Sequence, residues 1–373
     1  GIKMIKIGGC EKREKDQFLR YHREFEEEEI SLSKLNGLSS MLQEFLLIMI
    51  LLLSGVYMSY FKNMGSLLAS PDKILAYLFL LSRAMPAMAS LQSARTSIIG
   101  AYGPLARVME VLHKETDIVQ PVSDRTTDPP EIKEIHDISL KNLIFSYNAN
   151  GRILDDINLD FEKGKMYALV GFSGSGKSTL LDLIASVRNP LSGFMTINGT
   201  RTDSSFKQYI GYMNQEPILF HDTIRNNITY FKPDASDEEI WHSLKLAAAD
   251  DFIRGLPDGL ETGLGERGLT VSGGQRQRIG LARVLLQDAP VIMLDEATNA
   301  LDYQTEKTVY QNLKNLKEGR IIIIAAHRLS TLKDFDHIVV MKKGHIEEQG
   351  DHEALIANKS LYYNLFNIQE YSG

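Results

Sequence analysis

The feature that most constrains this 373-residue chain is the glycine-rich loop at residues 171–179, with the sequence Gly-Phe-Ser-Gly-Ser-Gly-Lys-Ser-Thr. A short apolar run, Met166–Val170, precedes the loop and predicts a buried strand, and helix-forming residues 180–185 follow it. Strand, glycine loop and helix N-terminus form the setting in which backbone N–H groups converge on a phosphate. The loop therefore predicts an α/β fold that binds a phosphate group between a strand and a helix N-terminus.

Individual residues of this loop have separate expected roles. Lys177 is expected to reach the β- and γ-phosphates of a bound nucleotide, and the Ser178 hydroxyl is expected to ligate Mg²⁺. The predicted nucleotide-binding residues of the loop are Gly171, Ser173, Gly174, Ser175, Gly176, Lys177, Ser178 and Thr179.

A second apolar run, Val291–Leu294, ends in two carboxylates, Asp295 and Glu296. Carboxylates at the C-terminal end of a parallel strand lie where open α/β sheets bind their ligands. We expect Asp295 to hold Mg²⁺, directly or through water, and Glu296 to be the base that polarises the attacking water. An acidic strand end can also simply cap the next helix, but the nearby phosphate loop favours the catalytic interpretation.

A third motif, Val271–Gln275, precedes a predicted helix from Arg276 to about Leu286. Ser-Gly-Gly at a helix start is a second phosphate cradle in the same chain. This motif resembles the signature sequence of ATP-binding cassette (ABC) proteins, with Val271 where leucine is commoner. The resemblance implies an α/β P-loop nucleoside triphosphatase domain with a helical subdomain, here preceded by an all-α partial transmembrane domain. The resemblance implies that the following residues also contact a nucleotide: Ser272, Gly273, Gly274 and Gln275.

The resemblance extends to two aromatic and polar positions. Tyr147 lies where the family stacks an aromatic ring on adenine, although a half-buried strand residue is the ordinary alternative. Gln215 matches the glutamine that senses Mg²⁺ and the lytic water, so it is expected to serve both metal binding and catalysis. An ordinary loop glutamine is the alternative at that position.

Two further matches lie after the acidic strand end. Ala300-Leu301-Asp302 resembles the loop that crosses the family's dimer interface, with Asn299 replacing the usual serine, and Asp302 is expected at the nucleotide. His327 follows the apolar run Ile321–Ala325 and matches the histidine that contacts the γ-phosphate. A histidine after an apolar strand is often only a core residue. Its place after the strand next in order from Asp295 favours the catalytic role.

Composition limits the remaining possibilities. The single cysteine, Cys10, excludes a disulfide framework and suits a reducing cytosol. The net charge of −7 argues against general binding of nucleic acid, which requires a basic surface. A start at Gly1 suggests a fragment of a longer protein.

The N-terminal third has the pattern of membrane helices. Met41–Phe61 is almost wholly apolar and long enough for a hydrocarbon core of about 30 Å. Ile74–Leu91 is a second span, interrupted by Arg83, and buried soluble helices are the alternative for both. The predicted domains are a partial transmembrane domain at residues 1–114, with membrane helices at about 39–61 and 74–92, a linker at 115–137 and a nucleotide-binding domain at 138–370.

This order resembles the last two membrane helices and the nucleotide-binding domain of an ABC exporter half-transporter. Three segments match exporter features: Gly8–Glu11 the turn before the fifth helix, Arg83–Pro86 the Arg-x-x-Pro of many sixth helices, and Gly265–Gly268 the loop that touches the partner's cytoplasmic helices. Half-transporters carry six membrane helices, so the resemblance implies that the first four lie outside this chain.

The resemblance also implies how such a protein works. Two domains arranged head to tail, in a homodimer, sandwich two ATP molecules between one Lys177 loop and the partner's Ser272 loop. The expected protein is an ATP hydrolase that exports or flips a hydrophobic or amphipathic substrate. It contacts membrane lipids, lies in a bacterial inner or plasma membrane, has its ATPase domain in the cytoplasm and binds no nucleic acid.

Two other classes share parts of this pattern. A chromosome-maintenance or repair ATPase has the same signature, but it needs a long coiled coil between Gln215 and Val271, where only 55 residues intervene. Those residues include a compact helical stretch, Ile240–Leu256. A regulator that uses ATP only as a switch is the other alternative, and the intact Glu296 argues against it.

Overall fold

The computed structural model describes residues 134–147, 151–201, 204–265, 268, 270–326 and 328–372, together with scattered positions between residues 5 and 109. The chain divides into two compact units, residues 16–128 and residues 1–15 with 129–373. The division after residue 128 falls within the predicted linker, while residues 1–15 belong to the unit that carries the phosphate loop.

Ten strands lie within the described residues. They are β1 (Asp137–Phe145), β2 (Leu154–Glu162), β3 (Met166–Val170), β4 (Ser192–Ile197), β5 (Thr200–Arg201), β6 (Ile210–Met213), β7 (Val291–Asp295), β8 (Ile321–Ala325), β9 (His337–Lys342) and β10 (His345–Gly350). The α-helices of the same unit are α1 (Lys177–Ile184), α2 (Ile224–Ile228), α3 (Asp237–Leu246), α4 (Asp250–Arg254), α5 (Gly273–Leu286), α6 (Tyr303–Leu316), α7 (His352–Ala357) and α8 (Leu361–Ser372).

The strands form two sheets. A four-stranded antiparallel sheet has the order β2-β1-β4-β5, and a six-stranded sheet has the order β10-β9-β3-β8-β7-β6. In the larger sheet β3 pairs in parallel with β8 and β9, and β7 pairs in parallel with β6 and β8, while β10 adds an antiparallel edge. The C-terminal ends of β3 and β7 therefore lie on the same edge, where the phosphate loop and the acidic pair begin.

Both faces of the larger sheet are covered, which explains its unbroken apolar runs. Successive residues of β3 point to opposite faces: Ala168 packs in the core shared with α3 and α5, and Leu169 packs in the core shared with α1 and the antiparallel sheet. Every residue of β3, β7 and β8 is buried. The strand ends thus rest on a rigid support.

The predicted strands are confirmed, and the helix starts need adjustment. The runs Met166–Val170 and Ile321–Ala325 are β3 and β8, and β7 extends the predicted run by one residue, to Asp295. Helix α5 begins at Gly273, three residues before the predicted start at Arg276. Glycine has low helix propensity, but the Ser272 capping box compensates because it satisfies free N–H groups at this end.

The helical stretch predicted between Gln215 and Val271 is confirmed as α3 and α4. Helix α3 begins at Asp237, where Ser236 accepts a hydrogen bond from the backbone N–H of Glu239 and the Glu239 carboxylate accepts one from the backbone N–H of Ser236. Ile240 and Leu244 are fully buried in the core that also contains α5. This part of the chain is a compact helical layer.

The N-terminal unit is described only at separate positions. Most of the predicted spans Met41–Phe61 and Ile74–Leu91 lies outside the described residues, as does Cys10. Positions inside the spans, such as Phe45, Phe79 and Arg83, are helical and exposed. Among the positions that can be described, no helix has both the length and the hydropathy for a membrane crossing.

Two described residues near the start of the chain, Gly8 and Arg13, contact Phe231 and Tyr230 of the helical layer. The Arg13 guanidinium donates a hydrogen bond to the carbonyl oxygen of Tyr230 at 2.8 Å and lies 4.1 Å from the centre of its ring. At Gly8 a side chain would overlap the ring of Phe231, and Ile7 is 3% exposed. Close approach to Phe231 thus requires glycine at position 8.

Candidate nucleotide site

The loop between β3 and α1 has the backbone of a phosphate cradle. Gly171, Gly174 and Gly176 have φ values of 150°, 77° and 107°, which side-chain-bearing residues rarely adopt. A Cβ at Gly171 would also collide with the carbonyl oxygen of Met341. The buried hydroxyl of Ser175 has no hydrogen-bond partner among the described residues. An unsatisfied donor inside a glycine cradle fits an acceptor such as a phosphate oxygen.

Lys177 is the first residue of α1 and is 6% exposed. Its Nζ donates a hydrogen bond to the carbonyl oxygen of Gly171 at 2.9 Å and lies 4.0 Å from Oε1 of Glu296. Burial lowers the pKa of Lys177, while the charges of Glu296 and Asp295 act in the opposite direction. The ammonium group is therefore held inside the loop, where a strongly anionic ligand would stabilise its positive charge.

Two of the three predicted magnesium ligands, Ser178 and Asp295, contact each other. The Ser178 hydroxyl donates a hydrogen bond to Oδ1 of Asp295 at 3.0 Å, and Asp295 is 5% exposed at the end of β7. No group of three or more His, Cys, Asp or Glu residues that could hold a metal exists among the described residues. One hydroxyl and one carboxylate nevertheless fit Mg²⁺, which is commonly held by one or two protein oxygens together with substrate phosphates.

Glu296 follows β7 and has an unusual backbone. Its φ is 49°, in the left-handed region, and its backbone N–H donates to the carbonyl oxygen of Ala325 at 3.0 Å. The side chain is 16% exposed, and Oε2 accepts hydrogen bonds from Nε2 of Gln215 at 2.9 Å and from Nδ2 of Asn299 at 2.7 Å. The carboxylate thus lies between Lys177 and two carboxamides. Backbone strain of this kind is typical of functional sites.

Tyr147 stands beside the loop and is half-exposed, as an aromatic platform must be. Its hydroxyl lies 3.2 Å from the hydroxyl of Thr179, and its ring packs edge-on against Phe145. The guanidinium of Arg188 lies 4.5 Å from the ring centre. Arg188 is a neighbour that the sequence did not indicate, because nothing in the local pattern distinguishes it from a surface arginine.

A cavity of about 710 Å³, a volume within the usual range of small-molecule sites, is lined by most of these groups, although Asp295 and Arg188 are outside its lining. Its lining includes Gln215, Glu296 and Asn299 as well as Leu365 and Ile368 of α8. The contribution of α8 was not predicted, since its residues lie near the chain's end with no motif. The predicted site residues that line the cavity are Tyr147, Gly171, Ser173, Gly174, Ser175, Gly176, Lys177, Ser178, Thr179, Gln215 and Glu296.

The signature residues do not line this cavity. The hydroxyl of Ser272 caps α5 by accepting from the backbone N–H of Gln275 at 3.3 Å, and the Gln275 side chain accepts from the backbone N–H of Ser272 at 2.8 Å. Gly273 and Gly274 form the first turn of α5 and pack against Ala300. The start of this helix is therefore not part of the lining of the cavity in its own domain.

Asp302 and His327 complete the predicted set. Asp302 also lies outside the cavity lining, and its side chain caps α6 by accepting from the backbone N–H and the hydroxyl of Thr305 at 3.0 and 2.6 Å. These bonds to Thr305 lower the pKa of Asp302. His327 lies outside the described residues, although Ala326 and Leu329 on either side of it line the cavity. Glu266 and Arg267, in the predicted exporter loop, also lie outside them.

Comparisons with known proteins agree with this geometry. A model of the ABC transporter family matches residues 154–299. An uncharacterized ABC transporter ATP-binding protein, YwjA of Bacillus subtilis (strain 168), is 35% identical over 381 residues, covering 99% of this chain and 64% of that protein. A putative multidrug export ATP-binding/permease protein of Staphylococcus aureus (strain NCTC 8325 / PS 47) is 43% identical over 267 residues, covering 70% of this chain and 46% of that protein.

A solved structure of a bacterial Atm1-family ABC exporter with ATP bound is similar to the chain with a TM-score of 0.65 and 30% identity, covering 99% of this chain and 64% of that one. The chain thus spans about half to two thirds of the length of these relatives. The glycine cradle, the acidic strand end and the family match lead to the same conclusion. The chain carries an ABC-type ATP-binding domain with mixed α/β sheets.

Proposed function

We propose that the chain binds Mg·ATP in the cavity of about 710 Å³ and hydrolyses it at the γ-phosphate. The observation that carries this proposal is that Lys177, Ser178 and Glu296 line that cavity together, while Asp295 accepts a hydrogen bond from Ser178. A cation, two Mg²⁺-compatible oxygens and a carboxylate are the groups that phosphoryl transfer to water requires.

The proposed roles follow from the positions of the side chains. Lys177 exchanges its contact with the carbonyl oxygen of Gly171 for the phosphate oxygens of ATP, and Tyr147 stacks on the adenine. Ser178, Asp295 and the side-chain oxygen of Gln215 would hold Mg²⁺, which when bound neutralises charge on the phosphate oxygens. Glu296 accepts a proton from the attacking water, whose oxygen forms the new bond to phosphorus as the bond to ADP breaks.

The signature residues and Asp302 would act on the ATP that is bound to a second copy of the chain. Ser272, Gly273, Gly274 and Gln275 lie at a helix N-terminus, where an anion is favoured, yet they do not line the cavity of their own domain. A head-to-tail homodimer would bring each signature helix to the partner's ATP, with Asp302 at the same interface. His327 would contact the γ-phosphate from the chain's own domain.

We extend the proposal to the protein that contains this chain. The matched S. aureus relative is described as a putative multidrug export ATP-binding/permease protein, and the matched structure is described as an exporter. We propose that residues 1–114 form part of a transmembrane domain, joined by residues 115–137 to the ATPase domain at 138–370. ATP turnover in the dimer would then drive export of a hydrophobic or amphipathic substrate across a bacterial membrane, with the ATPase domains in the cytoplasm.

Phosphate release by the purified chain tests the central claim. The wild type should release phosphate from Mg·ATP, and Lys177→Ala should raise the Kd for ATP about tenfold to a hundredfold, because a charge-assisted contact of about 1.5–3 kcal/mol is lost. Lys245→Ala, which changes an exposed lysine of α3, is the matched control and should bind ATP normally. Unchanged affinity in Lys177→Ala would contradict the assignment of the loop.

A further inference from the structure

The two hydrogen bonds to Oε2 of Glu296 come from different parts of the fold. Gln215 follows β6, and its Nε2 donates at 2.9 Å, whereas Asn299 lies in the turn between β7 and α6 and its Nδ2 donates at 2.7 Å. The other carboxylate oxygen, Oε1, lies 4.0 Å from Nζ of Lys177. The contact from Asn299 is thus the shortest of the three.

The turn that carries Asn299 is fixed on both sides of the residue. Before it, the buried hydroxyl of Thr298 donates to Oε1 of Glu306 at 2.7 Å. After it, the backbone N–H of Ala300 donates to Oε1 of Gln277, on α5, at 2.9 Å. The backbone N–H of Asn299 itself donates to the carbonyl oxygen of Glu296 at 3.3 Å. The carboxamide of Asn299 therefore approaches the carboxylate from a rigid support.

A free glutamate side chain samples several rotamers, and most of them would aim the carboxylate away from a water that attacks phosphorus. A single hydrogen bond to Oε2 would still allow the carboxylate of Glu296 to rotate. A second hydrogen bond, from a donor in another loop, prevents this rotation. Oε1 is left to face Lys177 and the region of the phosphates. Fixed geometry of this kind matters because a displacement of about 1 Å can cost about a hundredfold in rate.

We propose that Asn299 is a positioning residue for Glu296 and acts together with Gln215 to hold the carboxylate in its reactive orientation. The proposal rests on the proposed function of Glu296 as the base. Asn299 also lines the cavity, so a direct contact with the nucleotide is the competing role. The two roles differ in outcome, because a positioning residue affects the chemical step and a nucleotide contact affects ATP affinity.

Steady-state ATP turnover and equilibrium binding of ATP to the full chain distinguish these roles. Asn299→Asp keeps the shape but replaces the donor with a second carboxylate, and Asn299→Ser shortens the side chain so that it cannot reach Oε2. We expect kcat to fall about tenfold or more in Asn299→Asp and several-fold in Asn299→Ser, while KM and the Kd for ATP stay within twofold. Asn315→Asp, at an exposed position of α6, is the matched control and should retain the wild-type kcat.

A double-variant cycle tests whether Asn299 acts through Glu296. If it does, adding Asn299→Asp to Glu296→Gln should cause little further loss of single-turnover rate, since the group being positioned is already gone. Independent, multiplicative losses would overturn the proposal, as would an unchanged kcat in both single variants or a rise in Kd that accounts for the lost activity.

The same variants show whether a failure concerns only the role of Asn299 or also the proposed function of Glu296. Wild-type turnover that Glu296→Gln leaves intact would refute the role of Glu296 itself, and the positioning role of Asn299 would fall with it. Turnover that Glu296→Gln abolishes and Asn299→Asp leaves unchanged would refute only the inference about Asn299.

Discussion

Nη1 of Arg328 lies 3.1 Å from Oε2 of Glu306, and the carboxylate side of this ion pair is 2% exposed while the arginine side chain is 39% exposed. The same guanidinium donates to the carbonyl oxygen of Leu301 at 3.0 Å, and Glu306 also accepts from the hydroxyl of Thr298. The pair therefore joins three segments around the cavity: the turn after Glu296, the start of α6 and the chain that follows β8.

Because the two partners are buried to different extents, substituting them should lower the free energy of unfolding by different amounts. Arg328→Ala leaves a buried carboxylate without its cation and should lower the free energy of unfolding by up to about 3 kcal/mol. Glu306→Gln should cost less, because water can reach the guanidinium. Chemical denaturation of the two variants measures the difference, with Lys314→Ala, from the exposed pair Lys314–Asp334, as a control that should cost about 1 kcal/mol or less. Equal losses would show that burial does not govern this pair.

Glu296→Gln should bind ATP normally but lose at least about a hundredfold in turnover, because an amide cannot accept the proton of the attacking water. The variant should therefore accumulate as an ATP-bound dimer, which size-exclusion chromatography with ATP detects. Glu347→Gln, at an exposed position of β10, is the matched control and should turn over ATP at the wild-type rate. Turnover of Glu296→Gln within a few-fold of wild type would exclude Glu296 as the base.

Mixed dimers test whether Ser272 serves the partner's ATP. When a Ser272→Arg subunit pairs with a Lys177→Ala subunit, both changes fall in one composite site and the other site stays intact. The mixed dimer should recover part of the wild-type ATPase activity, whereas each variant homodimer should be inactive. A lack of recovery in verified mixed dimers would contradict independent composite sites, and activity in the Ser272→Arg homodimer would contradict any role of the signature in turnover.

The lowered pKa of His352 predicts that the stability of the folded chain depends on pH. Burial lowers the pKa of His352, and the charge of Lys333 lowers it further, while Glu353 and Asp351 raise it. Nδ1 of the ring lies 2.9 Å from the hydroxyl of Tyr362. Because the folded pKa is below the unfolded value of about 6.5, the unfolded chain binds the proton more readily. Stability is therefore lost as pH falls from about 6.5 toward the folded pKa.

Thermal unfolding checks this dependence by comparing the wild type with His352→Gln. The difference in Tm between the two should shrink or reverse between pH 7.5 and pH 5.5, since only the wild type has the titrating ring at this position. A difference in Tm that stays constant over that range would show that His352 does not contribute to the pH dependence.

Much of the fold follows from local sequence because the local signals agree with one another. The runs Met166–Val170 and Ile321–Ala325 are apolar and short, and both are strands of the buried sheet. The glycine spacing of residues 171–176 imposes the loop backbone directly. The start of α5 was harder to predict from the sequence, because Gly273 and Gly274 are poor helix formers. Only the Ser272 capping box indicates that the helix includes them.

The site contains contacts that no local pattern could indicate. Gln215 is 81 positions from Glu296 in sequence, and Arg328 is 22 positions from Glu306. Such pairs depend on which strands become neighbours. The sequence predicted Gln215 and Glu296 as site residues but not the contact between them, and it indicated neither Glu306 nor Arg328. The contribution of α8 to the cavity has the same origin, since the helix reaches the loop only through tertiary packing.

The left-handed backbone at Glu296 means that fold stability and catalysis favour different residues at this position. A residue with a side chain loses about 1–2 kcal/mol in this conformation, whereas glycine adopts it freely. Glycine would therefore relieve torsional strain at the end of β7 while removing the carboxylate altogether. Position 296 is accordingly where a search for thermostable variants and a search for active ones should select opposite residues, a local conflict between robustness and turnover.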